Sequence, residues 1–170
     1  MQASLHPDFI TITCLEWKHV LKENKYKQLI CESLNFLVKD KRVFVYAFVI
    51  MDNHLHMIWQ MVHGHNREAV QRDFLKFTSQ QILKDFRNSQ SDWLRQLQVN
   101  AMDRKHQIWE RNSLSIPLWT EKVFVQKLNY IHDNPIRAGL CMRREDYLYS
   151  SGRFYERQEK NWEFLTHYKG

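Results

Sequence analysis

The sequence predicts an α+β fold: an antiparallel sheet of about four strands with helices on one face. Three observations carry this. Runs rich in Val, Ile, Phe, Tyr and Trp occur at Phe9–Trp17, at Val43–Met51 and from His54 to Trp59. Stripes of apolar residues at helical spacing lie between and after them. The resulting order, strand, helix, strand, strand, helix, strand, is that of a ferredoxin-like sandwich. With 170 residues, 20.8 kDa, four glycines and three prolines, residues 1–170 read as one domain with a real core and no linker.

Taken in order, Phe9–Trp17 alternates with period two and predicts the first strand. Leu29, Ile30, Leu34, Leu37 and Val38 mark a helix over Tyr26–Val38. Val43–Met51 is a nine-residue apolar run, read as a buried strand. Asp52-Asn53 follows as a hairpin turn, since both residues tolerate positive φ. His54-Leu55-His56-Met57-Ile58-Trp59 then returns as the third strand. Asn66 caps a long helix to about Arg87, apolar at Val70, Phe74, Phe77, Ile82 and Phe86 and basic at Arg67, Arg72, Lys76, Lys84 and Arg87. Ser91–Met102 suits a short helix. Gln107-Ile108-Trp109-Glu110, extending toward Leu118, predicts the fourth strand. Thr120 caps a helix through Val123, Phe124, Leu128 and Ile131, which should stop near Asn134 because Pro135 follows. The tail carrying Trp162 and Phe164 gives no clear element.

Composition narrows the function classes. A formal charge of +6 and a pI near 9.3 suit a polyanionic partner, and 14% aromatic residues suit stacking on bases. Cys14, Cys31 and Cys141 match no zinc or redox spacing and read as buried thiols of a cytoplasmic protein. No leader is expected at the N-terminus, and no apolar run is long enough to span a membrane.

Two constellations carry chemistry. Strand side chains alternate faces, so His54 and His56 share one, about 7 Å apart at Cα. Such a pair can hold a divalent cation; equally it can be the polar face of a half-solvated strand. A second H-x-H, His63-Gly64-His65, falls where glycine predicts a loop. Tyr130 and Asn134, four apart, share a helix face. The Tyr130 hydroxyl can attack a phosphate, or the ring can simply pack. The Asn134 amide oxygen suits Mg²⁺ or Mn²⁺ as a third ligand, or it can cap the helix before Pro135. His132 lies about 200° round the helix from Tyr130 and reads as structural or surface.

The stretch Tyr130-Ile131-His132-Asp133-Asn134-Pro135-Ile136-Arg137-Ala138-Gly139-Leu140 resembles the signature of the HUH-type single-tyrosine transposases, closest to the REP-associated tyrosine transposases. His54-Leu55-His56 is similar to their H-hydrophobic-H motif, and Tyr149-Ser150-Ser151 to their aromatic-Ser-Ser tail. The likeness spans roughly Phe9 to Phe154. It implies the HUH fold, with His54, His56 and Asn134 holding Mg²⁺ or Mn²⁺. It implies Tyr130 as a nucleophile on single-stranded DNA beside a hairpin, giving a 5′-phosphotyrosine link and a free 3′-hydroxyl. Arg67, Arg104, Lys105, Arg111 and Arg137 are candidate phosphate contacts. The resemblance leaves monomer and homodimer open, with the site formed within one chain or across two. A hairpin-binding relative that no longer cuts, and a metal-dependent phosphodiesterase in which Tyr130 only packs, are the alternatives.

Overall fold

A computed structural model describes residues 5–170; the expected absence of a leader falls partly on residues 1–4 and lies outside them. Four strands, β1 (Asp8–Thr13), β2 (Val43–Ile50), β3 (His54–Met61) and β4 (Leu114–Pro117), form one antiparallel sheet in the order β2-β3-β1-β4. This is the α+β class and the four-stranded antiparallel sheet expected. The helices are α1 (Asn24–Lys39), α2 (Arg67–Asn88), the short α3 (Trp93–Gln96), α4 (Glu121–Arg137) and α5 (Gly152–Arg157). Among the described residues no helix is long and apolar enough to cross a membrane.

Alternation along each strand sends the side chains to two different cores. Ile10 and Ile12, Val45 and Phe48, and Leu55, Met57 and Trp59 pack with Ile30 and Leu34 of α1 and Phe74, Ile82 and Phe86 of α2. Phe9, Ala47, Val49 and Ile58 point the other way, onto Phe124, Leu128 and Ile131 of α4. The expectation that helices share one face therefore holds for α1 and α2 and not for α4. The physical sign was the unbroken apolar run of β2: a strand wetted on one side alternates, and one covered on both sides does not. A bulge between Val45 and Ala47 puts Tyr46 out of register, and its hydroxyl donates to Gln60 Oε1 at 2.7 Å.

Three further expectations are corrected. β1 ends at Thr13 rather than Trp17, because the chain reverses in a 3₁₀ turn, Leu15–Trp17, with Glu16 and Trp17 at φ 51° and 55°. The fourth strand is Leu114–Pro117; the predicted Gln107–Glu110 segment lies along the same edge of β1 but makes only the Cys14–Trp109 bridge and its flanking bonds. Helix α4 runs through Pro135 to Arg137. The proline sits in the last turn, and Gly139, at φ 72°, ends the helix, with the Gly139 and Leu140 amides returning to Ile136 O and Pro135 O. Asn134 is thereby inside the helix and not its cap.

The β2–β3 turn is held from outside. Neither Asp52 nor Asn53 has positive φ. Instead the Cys14 amide donates to Asn53 O and the Leu21 amide to Asp52 O, both at 2.8 Å. Lys27 of α1, buried, donates to Asp52 Oδ1 at 2.7 Å. Lys27→Met should therefore cost about 2–3 kcal/mol, at the low end for a broken buried pair because Asp52 keeps some solvent. Urea denaturation measures this, and Lys27→Met/Asp52→Asn should recover part of the loss; equal midpoints for wild type and Lys27→Met would show that the pair does not anchor the turn.

The tail locks α4 to β2. Ser151 N donates to Phe48 O, Ile50 N to Tyr149 O, and Ser151 Oγ meets His132 Nε2 at 2.8 Å. Beyond it Phe164 and Leu165 are buried, and Thr166 N donates to Val45 O. His132 is thus structural. Burial, reinforced by the nearby Arg144 charge, pushes its pKa down to about 3. An imidazole lowered from about 6.5 binds its proton more readily in the unfolded chain, so its stabilising share is full above pH 6.5 and shrinks as pH falls. The denaturation midpoint should be level above pH 7 and lower at pH 5, by about 2 kcal/mol from His132 alone. A midpoint unchanged down to pH 5 would mean a solvated ring.

Candidate active site

The site sits between the middle of the sheet and α4. His54 and His56 open β3 on the face that α4 covers, directly opposite Thr13 and Thr11 of β1. Their rings lie 4.8 Å apart between centroids. On α4, Lys127, Tyr130, Asn134 and Arg137 recur at spacings of three and four, so all four project along one stripe. That stripe lies beside the apolar one, Phe124, Leu128 and Ile131, which docks on the sheet. Docking therefore carries the polar stripe to the histidines. The Tyr130 ring meets His56 edge-on at 5.1 Å and Phe9 at 5.9 Å, and the Asn134 side chain stands close enough to His54 to act on its charge.

Each imidazole is oriented from behind. His54 Nδ1 lies 2.7 Å from Asn53 Oδ1; that oxygen only accepts, so Nδ1 carries the proton and Nε2 is left as a lone pair. His56 Nδ1 lies 2.8 Å from Thr11 Oγ1, which leaves its Nε2 as the unengaged ring atom. Burial lowers both pKa values. His56 reaches about 3, with help from His54, Lys127 and Arg137. Neutral rings are what metal ligation requires. Asn134 acts oppositely on His54, favouring positive charge at that ring edge, as an amide oxygen facing it does. Two imidazole nitrogens and an amide oxygen thus fit a divalent cation. Among the described residues no cluster of three His, Cys, Asp or Glu offers another such site.

Tyr130 is 38% exposed, so its ring is not a packed core aromatic. It is flanked by two cations: Arg137 Cζ stands 4.6 Å from the ring centroid and Lys127 Nζ 5.7 Å. Arg137 also donates to Tyr130 O at 3.0 Å.

Of the five predicted phosphate contacts, Arg137 belongs to this centre. Arg67, Arg104 and Arg111 line a separate groove of about 1050 Å³ between α2 and residues 103–115, joined there by Arg72 and Lys76. Arg67 pairs with Glu68, while Arg104 and Arg111 pair with Asp103. Lys105 is exposed and lines neither. His63 and His65 lie in an exposed turn around Gly64, as expected of a loop.

Sequence reading missed Lys127, Thr11, Asn53 and Trp17. Lys127 was findable, three residues before Tyr130 and seven before Asn134. Thr11 and Asn53 emerge only from strand register and turn geometry, and Trp17, edge-on to His54 at 5.5 Å, only from the reversal after β1.

No protein-family model matches the sequence, and no curated protein matches it. Among solved structures, a REP-associated tyrosine transposase bound to a REP hairpin aligns with 92% of this chain and 81% of its own, at TM-score 0.66 and 16% identity. A candidate transposase from Deinococcus radiodurans R1 aligns with 74% of this chain and 88% of its own, at TM-score 0.48 and 11% identity. At such identity the first likeness is one of architecture: the chain has the fold of a REP-associated tyrosine transposase.

Proposed function

We propose that the protein is a transposase-type enzyme that nicks and rejoins single-stranded DNA beside a hairpin, with Tyr130 as nucleophile and Mg²⁺ or Mn²⁺ bound by His54, His56 and Asn134. One observation carries this reading. Within a single chain a phenol and an amide from α4 converge on two neutral imidazoles from β3. Tyr130 Oη attacks phosphorus; the Oη–P bond forms as the P–O3′ bond breaks. The phenolic proton leaves to water, and the 3′-oxygen departs as a hydroxyl. The products are a 5′-phosphotyrosine link and a free 3′-end. A bound divalent cation would supply charge neutralisation at the non-bridging phosphate oxygens. Lys127 and Arg137, on either side of the phenol, add fixed positive charge where the reacting phosphate must sit. Attack of another strand's 3′-hydroxyl on the phosphotyrosine reverses the bond changes, so joining needs no outside energy source.

The basic groove supports a nucleic-acid partner, its Arg67, Arg72, Lys76, Arg104 and Arg111 suiting a phosphate backbone. The solved relative is bound to a REP hairpin, which supports hairpin DNA as that partner. Convergence within one chain supports a site working in cis, whether the protein is a monomer or a homodimer. Exposure of Tyr130 weighs against a phosphodiesterase in which it only packs. The test is incubation with a labelled library of single-stranded hairpin oligonucleotides and Mg²⁺ or Mn²⁺. A protein–DNA adduct stable to SDS is expected, and its absence across the library would overturn the reading.

A further inference from the structure

We propose that the exposed indole of Trp17 is a stacking platform for one unpaired nucleobase of the strand that passes between the basic groove and the His54/His56 centre; this rests on the nicking reading above. Trp17 is 58% exposed, whereas Trp59 and Trp109 are buried. The fold spends backbone strain to present it. Glu16 and Trp17 are consecutive non-glycine residues in the left-handed region, a conformation held only where surrounding structure imposes it. Here the Glu16 amide donates to Glu110 Oε1 at 2.6 Å and the Trp17 amide to Cys14 O at 3.0 Å.

The ring is also tied to the centre. Trp17 O accepts from Asn53 Nδ2 at 3.3 Å, and the same Asn53 side chain orients His54, which the indole meets edge-on at 5.5 Å. Trp17 also borders a cleft of about 480 Å³. That cleft shares Gln107, Glu110, Arg111 and Asn112 with the walls of the basic groove. Trp17 thus borders both this cleft and His54. A flat, neutral, solvent-facing π surface beside a guanidinium is what an unstacked base recognises: the ring takes the base, and Arg111 takes the adjoining phosphate. Trp119 is the contrasting case, also exposed but packed against His6 at 4.1 Å and two residues past Pro117, which pairs with Asp8 at the opposite end of β1 from Thr13 and His54.

The test uses the full chain and single-stranded hairpin oligonucleotides carrying 2-aminopurine at successive unpaired positions. Binding and fluorescence are read without metal, so no cutting is needed. Wild type should quench one position. Trp17→Ala should lose that quenching and bind about 5- to 150-fold more weakly, the range for loss of one base–aromatic stack. Trp17→Phe should keep most of both, and equal thermal midpoints confirm that the variants fold. Unchanged quenching and affinity in Trp17→Ala overturns the platform, as does failure of wild type to quench any position. The SDS-stable adduct, scored separately with Mg²⁺ or Mn²⁺, decides the nicking reading, so the two can fail independently.

Discussion

Tyr130→Phe should eliminate strand cleavage, by on the order of 10⁴-fold or more, while leaving affinity for hairpin DNA within about twofold. The asymmetry follows from what the substitution removes. A phenyl ring keeps the edge contacts with His56 and Phe9 and remains under the Arg137 and Lys127 cations. Those interactions depend on the ring face, not on the hydroxyl. Tyr130 is partly exposed, so losing one hydroxyl leaves no buried orphan and should change stability by less than about 0.5 kcal/mol. Only the attacking oxygen disappears, and nothing nearby replaces it. His56 is buried behind the ring with Nδ1 engaged by Thr11. The readouts are the SDS-stable adduct, which should vanish, and an equilibrium binding curve, which should not move. Continued adduct formation by the variant would remove Tyr130 from the chemistry; loss of binding together with cutting would make it a DNA contact.

Much of this centre was legible in the sequence. Period two in β3 puts His54 and His56 on one face whatever surrounds them, and period 3.6 does the same for Tyr130 and Asn134. Periodicity does not say which face of the sheet a helix covers. That depended on reading the uninterrupted apolar character of Val43–Met51 as two-sided burial, which also sends α4 opposite to α1 and α2. The end of α4 was misread for a local reason: Pro135 forfeits one bond, the one an amide there would make to Ile131 O, which a helix so near its end tolerates, and Gly139 provided the real stop. The reversal at Glu16-Trp17 had no sequence signal at all. Left-handed backbone is usually announced by Gly or Asn, and here tertiary hydrogen bonds impose it on two residues that do not favour it. The same holds for Lys27, which looks like any solvated helix lysine until the turn it grips is seen.

Removing the divalent cation with EDTA should stop cutting, and Mg²⁺ or Mn²⁺ should restore it; more telling is how the ion should bind. The donors, two neutral imidazoles and an amide, carry no negative charge. Lys127 and Arg137 stand close enough to help hold His56 neutral, so they also repel a bare cation. An ion entering that set alone gives up hydration for uncharged ligands in a positive field. A scissile phosphate reverses the sign of the field and adds anionic oxygens that Mg²⁺ and Mn²⁺ favour. Metal and DNA should therefore bind cooperatively. Mn²⁺ titrated into Tyr130→Phe, followed by electron paramagnetic resonance, should bind weakly alone and about 5- to 150-fold more tightly with single-stranded hairpin DNA present. By linkage the ion should tighten DNA by the same factor. His54→Ala should abolish the coupling while leaving metal-free DNA affinity nearly intact. Because burial holds His56 down to about 3, that ring should stay neutral and the coupling persist at pH 6, where a solvated histidine would be largely protonated. Equal Mn²⁺ affinity with and without DNA would show that the phosphate is not the missing ligand, and the histidine pair would then have to be reread as the polar face of a strand.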